Sequence, residues 1–354
     1  MSRMLEEIRE QPGALDFSLR EDLAVVADLR TRLEKHRPRL IVLAARGTSD
    51  NAALFGRYLL EITTGIPVSL AAPSIFTLYG ATLDLRGTMV VAISQSGEST
   101  DTNQVLQKAR TAGAMTVGIT NEPESALAGL AEFVLLVRAG REKSVAATKT
   151  YTGQLLMFYL LAYACGAPIR HDDLLRIPEH VSRALDAEGE ITSRAERFTF
   201  MIRAISVARG LNYANAFEFA LKLMETCYVV AERFSAADLL HGPIAMVDHA
   251  FPAFLFAPPG VTWPGMRDMI LKLRGLKAET LVITDRSNVE AAADRRSSFC
   301  LPVELAEAGS SLPADIWTPI PYIVPAQIFA ACLAEKKGLD PDSPRTLSKV
   351  TRTL

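Results

Sequence analysis

The chain has 354 residues, 49% of them hydrophobic and 22% charged, with a formal net charge of -2. That length and apolar content suit two domains, each able to bury its own core, and exclude a disordered chain. The near-neutral charge, without a long basic run, argues against a nucleic-acid or anionic-membrane partner.

Residues 1–30 read as an N-terminal helical segment ahead of a first domain over 31–168. The start, Met1-Ser2-Arg3-Met4-Leu5-Glu6-Glu7, lacks the apolar core of a signal peptide. Apolar runs such as 155–163 are too short to cross a bilayer. A β-rich run over 39–45 breaks at Gly47 into Thr48-Ser49-Asp50-Asn51, and a helical pattern follows through Ala53, Leu54, Tyr58, Leu59 and Ile62. Next come Val68-Ser69-Leu70, a strand over 90–93, a helix over about 102–112, strands over 115–119 and 133–137, and a helix over 148–163. Strands alternating with helices predict a parallel sheet covered on both faces.

A charged segment, 169–195, reads as a linker helix, and a second domain over 196–338 repeats the order of the first. "VLAARGTSDNA" at 42–52 is answered by "ISVARGLNYAN" at 205–215, "VVAISQSG" at 90–97 by "AFLFAPPG" at 253–260, and "AGAMTVGITN" by "LKAETLVITD". Gly47 and Gly210 are as far apart as Gly97 and Gly260, so the offset is constant across separate elements. The expected fold is α/β, with two tandem domains, each a doubly wound parallel sheet flanked by helices. Residues 339–354 form a tail. Cys165, Cys227, Cys300 and Cys332 lie far apart in apolar contexts without a CxxC pair. They read as buried free thiols in a reducing compartment, and a cytoplasmic protein is expected.

The two copies differ after the strand at 90–93. The first continues Ser94-Gln95-Ser96-Gly97-Glu98-Ser99-Thr100, whereas the second has Pro258-Pro259-Gly260-Val261. Ligands of an open parallel sheet bind beyond the carboxyl ends of its strands. Backbone N–H groups at a helix start, with Ser and Thr hydroxyls beside them, hold an anion without a cationic side chain. Ser94, Gln95, Ser96 and Ser99, with Thr48 and Ser49 from the neighbouring loop, therefore form a candidate site for a phosphate monoester. The plain alternative for any one hydroxyl is a helix cap. Neither GxxxxGK[ST] nor GxGxxG occurs, which favours a small phosphorylated metabolite over a nucleotide.

The helix expected over 214–227 is apolar almost all round except for Glu218, Lys222 and Glu225, which share one face. Charged groups on a buried helix must pair or line a cavity. A structural Glu–Lys–Glu network and a catalytic set both meet that requirement. His241 precedes Gly242-Pro243 and so falls in a turn. Lys349 lies near the end of the chain, where a lysine ordinarily belongs to a solvated tail. Neither His nor Cys shows metal-ligand spacing, and no cofactor is expected.

"SQSGEST" and "ARGTSDNA", with "ALKLMET", "LLHGPIAM" and "SPRTLSKVT" in that order, resemble the SIS (sugar isomerase) phosphosugar proteins. The similarity is to the isomerase half of glucosamine-6-phosphate synthase and to stand-alone glucosamine-6-phosphate deaminases, and runs from Glu7-Ile8-Arg9-Glu10-Gln11-Pro12 nearly to the C-terminus. The resemblance implies that Glu225 moves the proton between C1 and C2, with Lys222 stabilising the enediol-like intermediate. It implies that His241 opens the sugar ring, contributed from the partner subunit of a homodimer with shared sites. It also implies a tail that closes over the sugar, with Lys349 able to form a Schiff base with an open-chain ketose and Arg345 able to position it. The synthases carry an amino-terminal glutaminase domain; this sequence has no cysteine before Cys165, so a glucosamine-6-phosphate deaminase giving fructose 6-phosphate and ammonia is expected. Arg46 stands where the synthases have cysteine, as in the deaminase-type relatives. The alternatives are an isomerase or fructosamine-type deglycase acting on another amino sugar phosphate, and a non-catalytic sugar-phosphate sensor.

Overall fold

The computed structural model describes residues 2–293, 298–302, 312–347 and 349, with 298–302 as backbone. The Cys300 side chain and the tail residues 348 and 350–354 lie outside the described residues. The chain forms two compact units. One is built from Gly13–Glu142 and Lys149–Leu175 and takes Lys349; the other is built from the chain up to Pro12, Lys143–Thr148 and Arg176–Leu347.

The first unit holds a five-stranded sheet of β1 (Leu40–Ala44), β2 (Val68–Leu70), β3 (Thr88–Ile93), β4 (Met115–Thr120) and β5 (Phe133–Leu136). The order is β2-β1-β3-β4-β5 and every pairing is parallel. All six residues of β3 are buried. Its sequence is accordingly a continuous apolar run rather than an alternation, as helices cover both faces. On one face Val42, Ala44, Val90 and Ala92 pack with Val105, Leu106 and Ala109 of the Thr100–Thr111 helix. Elsewhere in the unit the Thr48–Thr64 and Lys149–Ala164 helices pack closely: a Cβ on Gly56 would fall 2.3 Å from the Phe158 ring. Phe55 sits against Tyr159 at a ring separation of 5.2 Å.

The second unit repeats this order with β6 (Arg203–Ala208), β7 (Val230–Ser235), β8 (Pro252–Ala257), β9 (Glu279–Thr284) and β10 (Ser298–Pro302). The sheet runs β10-β9-β8-β6-β7, again all parallel. Read from its other edge, this is the order of the first sheet. Phe198, Phe219, Phe254 and Phe329 form a cluster with ring separations between 5.0 and 6.0 Å. The stretch expected as one linker helix is instead three: His171–Leu174, Ile177–Leu185 and Glu188–Ala195. Pro178 lies in the first turn of the second, where its missing N–H costs nothing but where it ends any helix arriving from upstream. Among the described residues, no helix is long and apolar enough to cross a membrane.

Candidate active site

In the first unit the chain leaves β1 toward one edge of the sheet and β3 toward the other. The loops after these adjacent strands therefore flank the point where strand order reverses, the position at which open α/β sheets bind ligands. Thr48 and Ser49 open the helix after β1; Ser94 to Ser99 link β3 to the helix beginning at Thr100. Six of the residues singled out from sequence, Thr48, Ser49, Ser94, Gln95, Ser96 and Ser99, thus belong to the loops and helix starts at one end of one sheet.

The loop is held by its backbone. Gly97 has a φ of +65° and its N–H meets the carbonyl and hydroxyl oxygens of Ser94 at 3.2 and 3.1 Å. Its carbonyl accepts from Asn103 Nδ2 at 2.9 Å and from the Leu127 N–H at 3.0 Å. Gln95 is fixed through its carbonyl, which accepts from the Asn121 N–H at 3.1 Å. A Cβ on Gly97 would fall 2.1 Å from Ser125 Oγ, so only glycine allows both the turn and the close approach. Ser99 occupies the cap position of the Thr100–Thr111 helix, but its side chain does not cap it. Its hydroxyl pairs with Thr102 Oγ1 at 3.0 Å. The helix-cap alternative therefore fails for Ser99. Ser49 is buried and its hydroxyl accepts from Gln154 Nε2 at 3.0 Å.

The corresponding loop of the second unit is filled by protein. The Asp315 side chain lies against Gly260, 3.3 Å from where a Cβ would stand, and Asn212 Nδ2 donates to Thr318 Oγ1 at 2.7 Å. The second unit carries a charged set of its own. The Tyr213–Cys227 helix packs its apolar faces into the core and carries Glu218, Lys222 and Glu225. Lys222 Nζ lies 3.2 Å from Glu218 and 2.6 Å from Glu225. Burial alone would lower the Lys222 pKa, but the two carboxylates outweigh it and hold the ammonium above the ordinary lysine range. Lys222 is thus a fixed positive charge and not a base. The carboxylates differ: the Glu218 side chain is 0% exposed and that of Glu225 is 24% exposed. The first has the burial of a structural partner, the second the access of a reacting group.

His241 follows the short Ala236–Leu240 helix, its N–H donating to the Asp238 carbonyl at 3.1 Å, and its side chain is exposed. Arg345 stacks on the Tyr228 ring at 4.2 Å and donates its backbone N–H to the Tyr228 hydroxyl. Lys349 is ion-paired, its Nζ 2.7 Å from a Glu142 oxygen. Glu142 is fully buried and accepts from the Thr150 hydroxyl at 2.6 Å and from its N–H at 3.2 Å. A solvated tail lysine would make no such contact. Cys227 and Cys332 are buried and Cys165 is half-buried. Burial pushes the Cys227 thiol up to about 11, so it carries no thiolate at neutral pH.

Two partners escaped the sequence reading. Glu142 stands in the run Arg141-Glu142-Lys143, which looks solvated, and no periodicity marks it as buried. Asp101 follows the hydroxyl loop and accepts from Arg46 Nε at 3.1 Å and Nη2 at 2.8 Å. The loop has no basic residue of its own, yet the fold brings one to it.

A family model described as SIS domain matches residues 36–164 and 202–315. Over 98% of its length the chain is 37% identical to glutamine–fructose-6-phosphate aminotransferase (isomerizing) of Gloeobacter violaceus. It is 35% identical, again over 98%, to the protein of that name from Methanothermobacter thermautotrophicus. It spans 58% and 56% of the lengths of these two relatives. The C-terminal domain of glucosamine-fructose-6-phosphate aminotransferase from Francisella tularensis superposes with a TM-score of 0.87 at 27% identity, covering 97% of this chain and 98% of that one. Glucosamine-6-phosphate deaminase from Thermotoga maritima shares the fold, with a TM-score of 0.78 at 21% identity over 99% of this chain and 100% of that one. With the family's match over both sheets and this identity over nearly its whole length, the chain belongs to the SIS domain family.

Proposed function

We propose that the chain is a phosphosugar aldose–ketose isomerase acting on an amino sugar, converting glucosamine 6-phosphate and water to fructose 6-phosphate and ammonia. The observation that carries this reading is the pairing of a partly exposed carboxylate, Glu225, with an ammonium, Lys222, that cannot titrate near neutral pH. A carboxylate with access to substrate suits proton abstraction next to a carbonyl, and a fixed cation suits the oxyanion that forms. The hydroxyl loop of the first unit would take the 6-phosphate. The relatives' names attach fructose 6-phosphate and isomerisation to proteins longer than this chain; the proposed reaction uses the same sugar phosphate and the same C1–C2 rearrangement.

In this reading His241 donates and removes the protons of ring opening, as imidazole can near neutral pH. Glu225 then takes the C2 proton of the open-chain aldehyde and the electron pair forms a C1–C2 double bond. Return of the proton to C1 leaves an imine at C2. Water adds to that carbon and ammonia departs, leaving the ketone of fructose 6-phosphate. Lys349 is the amine that would replace ammonia at C2 if the intermediate is covalent, giving a Schiff base that water hydrolyses. The exposure of His241 in the single chain fits a residue donated to the neighbouring subunit of a homodimer.

The test is to incubate the purified chain with glucosamine 6-phosphate and other 6-phosphosugars and measure free ammonia and ketose phosphate. Ammonia and fructose 6-phosphate in equal amounts from glucosamine 6-phosphate are expected. Interconversion without ammonia would replace the deaminase by a simple isomerase, and binding without turnover would refute the enzyme.

A further inference from the structure

A phosphate monoester carries nearly two negative charges, whereas the loop expected to hold it offers hydroxyls, an amide and backbone N–H groups, and its one charged side chain, Glu98, is an exposed carboxylate that accepts from the Ala126 N–H at 2.9 Å. Both helices that begin at this loop cluster have an acid in the first turn, Asp50 in one and Asp101 in the other. An acid there favours the helix dipole but opposes an incoming anion. Asp50 is exposed as a residue, yet burial of its carboxyl group pushes its pKa up against an opposing pull from Arg46. The Asp101 side chain is 5% exposed, and a charge so placed is screened far less than one in open water. The residue that answers it is Arg46, at the end of β1 and two positions before Thr48. Arg46 grips a single Asp101 oxygen through Nε and Nη2, while its own side chain remains 48% exposed. Two of its five N–H groups are engaged in that grip, and the guanidinium carries a full charge at any working pH.

We propose that Arg46 is a specificity-determining positioning residue, which cancels the buried Asp101 charge and holds a cation at the hydroxyl loop so that the loop selects a phosphorylated sugar over a neutral one. The proposal rests on the phosphosugar reading above. It assigns Arg46 no proton transfer, so the effect of losing it falls on substrate binding. Removing Arg46 alone leaves the buried Asp101 carboxylate, in the first turn of the helix after the loop, without this cation. Removing both charges takes the buried carboxylate and its cation away together, leaving the exposed Glu98 and Asp50 in place.

The test is isothermal titration of wild type, Arg46→Gln, Arg46→Ala, Asp101→Asn and the Arg46→Gln/Asp101→Asn double variant with fructose 6-phosphate, inorganic phosphate and unphosphorylated fructose. Arg46→Gln keeps reach and one donor without the charge, and a thermal scan identifies any variant that has not folded. Affinity of Arg46→Gln for fructose 6-phosphate is expected to fall about 10- to 100-fold, the range of a lost hydrogen bond to a charged group. The fall should appear as a higher KM at nearly constant kcat, and Asp101→Asn should recover most of it in the double variant. Wild-type affinity in a folded Arg46→Gln, an equal loss for fructose itself, or a double variant as weak as the single one would each overturn the inference while leaving the phosphosugar reading intact. Failure of the wild type to bind any sugar phosphate would remove that reading and this inference with it.

Discussion

Glu218 and Glu225 flank the same ammonium, yet they should respond oppositely to loss of charge. In Glu218→Gln the fully buried Lys222 loses the equally buried partner 3.2 Å away. Removing one member of a buried pair costs about 3–5 kcal/mol, since the remaining charge keeps its desolvation penalty. In Glu225→Gln Lys222 keeps Glu218, and the lost carboxylate is 24% exposed, so part of its Coulomb energy already went to solvent. A loss of about 1 kcal/mol is expected there. Activity should rank the other way: Glu225→Gln should lower kcat by about 10²–10⁴-fold at nearly constant KM, the loss of a general base. Urea unfolding of the variants side by side, with linear extrapolation, measures the first quantity, and initial rates of ketose phosphate formation measure the second. The Lys222 pKa is raised by folding, so the stability from its pairing is complete below about pH 10.4, the unfolded lysine value, and is lost only as pH rises through the higher folded value. The stability gap between Glu218→Gln and wild type should therefore be flat between about pH 7 and 9. Equal destabilisation by the two variants, with kcat falling in parallel, would mean that all three residues form one structural network and that the base lies elsewhere.

Gly97→Ala should cost about 2–3 kcal/mol, combining the left-handed backbone with displacement of Ser125, which caps the Ala126–Leu130 helix; a thermal scan and phosphosugar titration should both register it. Ser96→Ala and Ser99→Ala should weaken sugar phosphate binding by about 1.5–3 kcal/mol each and unphosphorylated sugar far less; equal weakening would assign the loop to the sugar itself. His241→Ala and Glu225→Gln proteins, each inactive alone, should regain a fraction of wild-type activity when their subunits are exchanged, and silence despite proven exchange would remove His241 from a shared site.

The sheets were legible in the sequence wherever a strand is buried on both faces. β1, β3, β4, β8 and β9 are apolar runs, and the repetition of their order marks two domains. β7 was not legible because it is an edge strand: Glu232 and Arg233 face solvent and Val230 is largely exposed, so its composition resembles a loop. The segment over 169–195 reads as one helix because charge and helix propensity are continuous through it, whereas Pro178 acts on backbone geometry at one point. The candidate site was legible where it is local, as in Ser94 to Ser99 or the spacing of Glu218, Lys222 and Glu225. It was illegible where partners are distant in sequence. Glu142 meets Lys349, and Arg46 meets Asp101, through folding that no short-range pattern encodes. Ser99 shows the converse: its sequence position is that of a cap, and only its bond to Thr102 frees it from that role.

Exchange of carbon-bound hydrogen with solvent tests the central claim most directly, because it reports proton transfer at the sugar without depending on net release of ammonia. Wild type and folded Glu225→Gln are incubated with fructose 6-phosphate and ammonium chloride in deuterated water, and the sugar is read by proton NMR. Wild type should incorporate deuterium at C1, and Glu225→Gln should incorporate none above the enzyme-free rate while still binding the sugar phosphate. Undiminished incorporation by Glu225→Gln, or none by wild type with bound sugar phosphate, would contradict the assignment of Glu225 as the base of a phosphosugar isomerase.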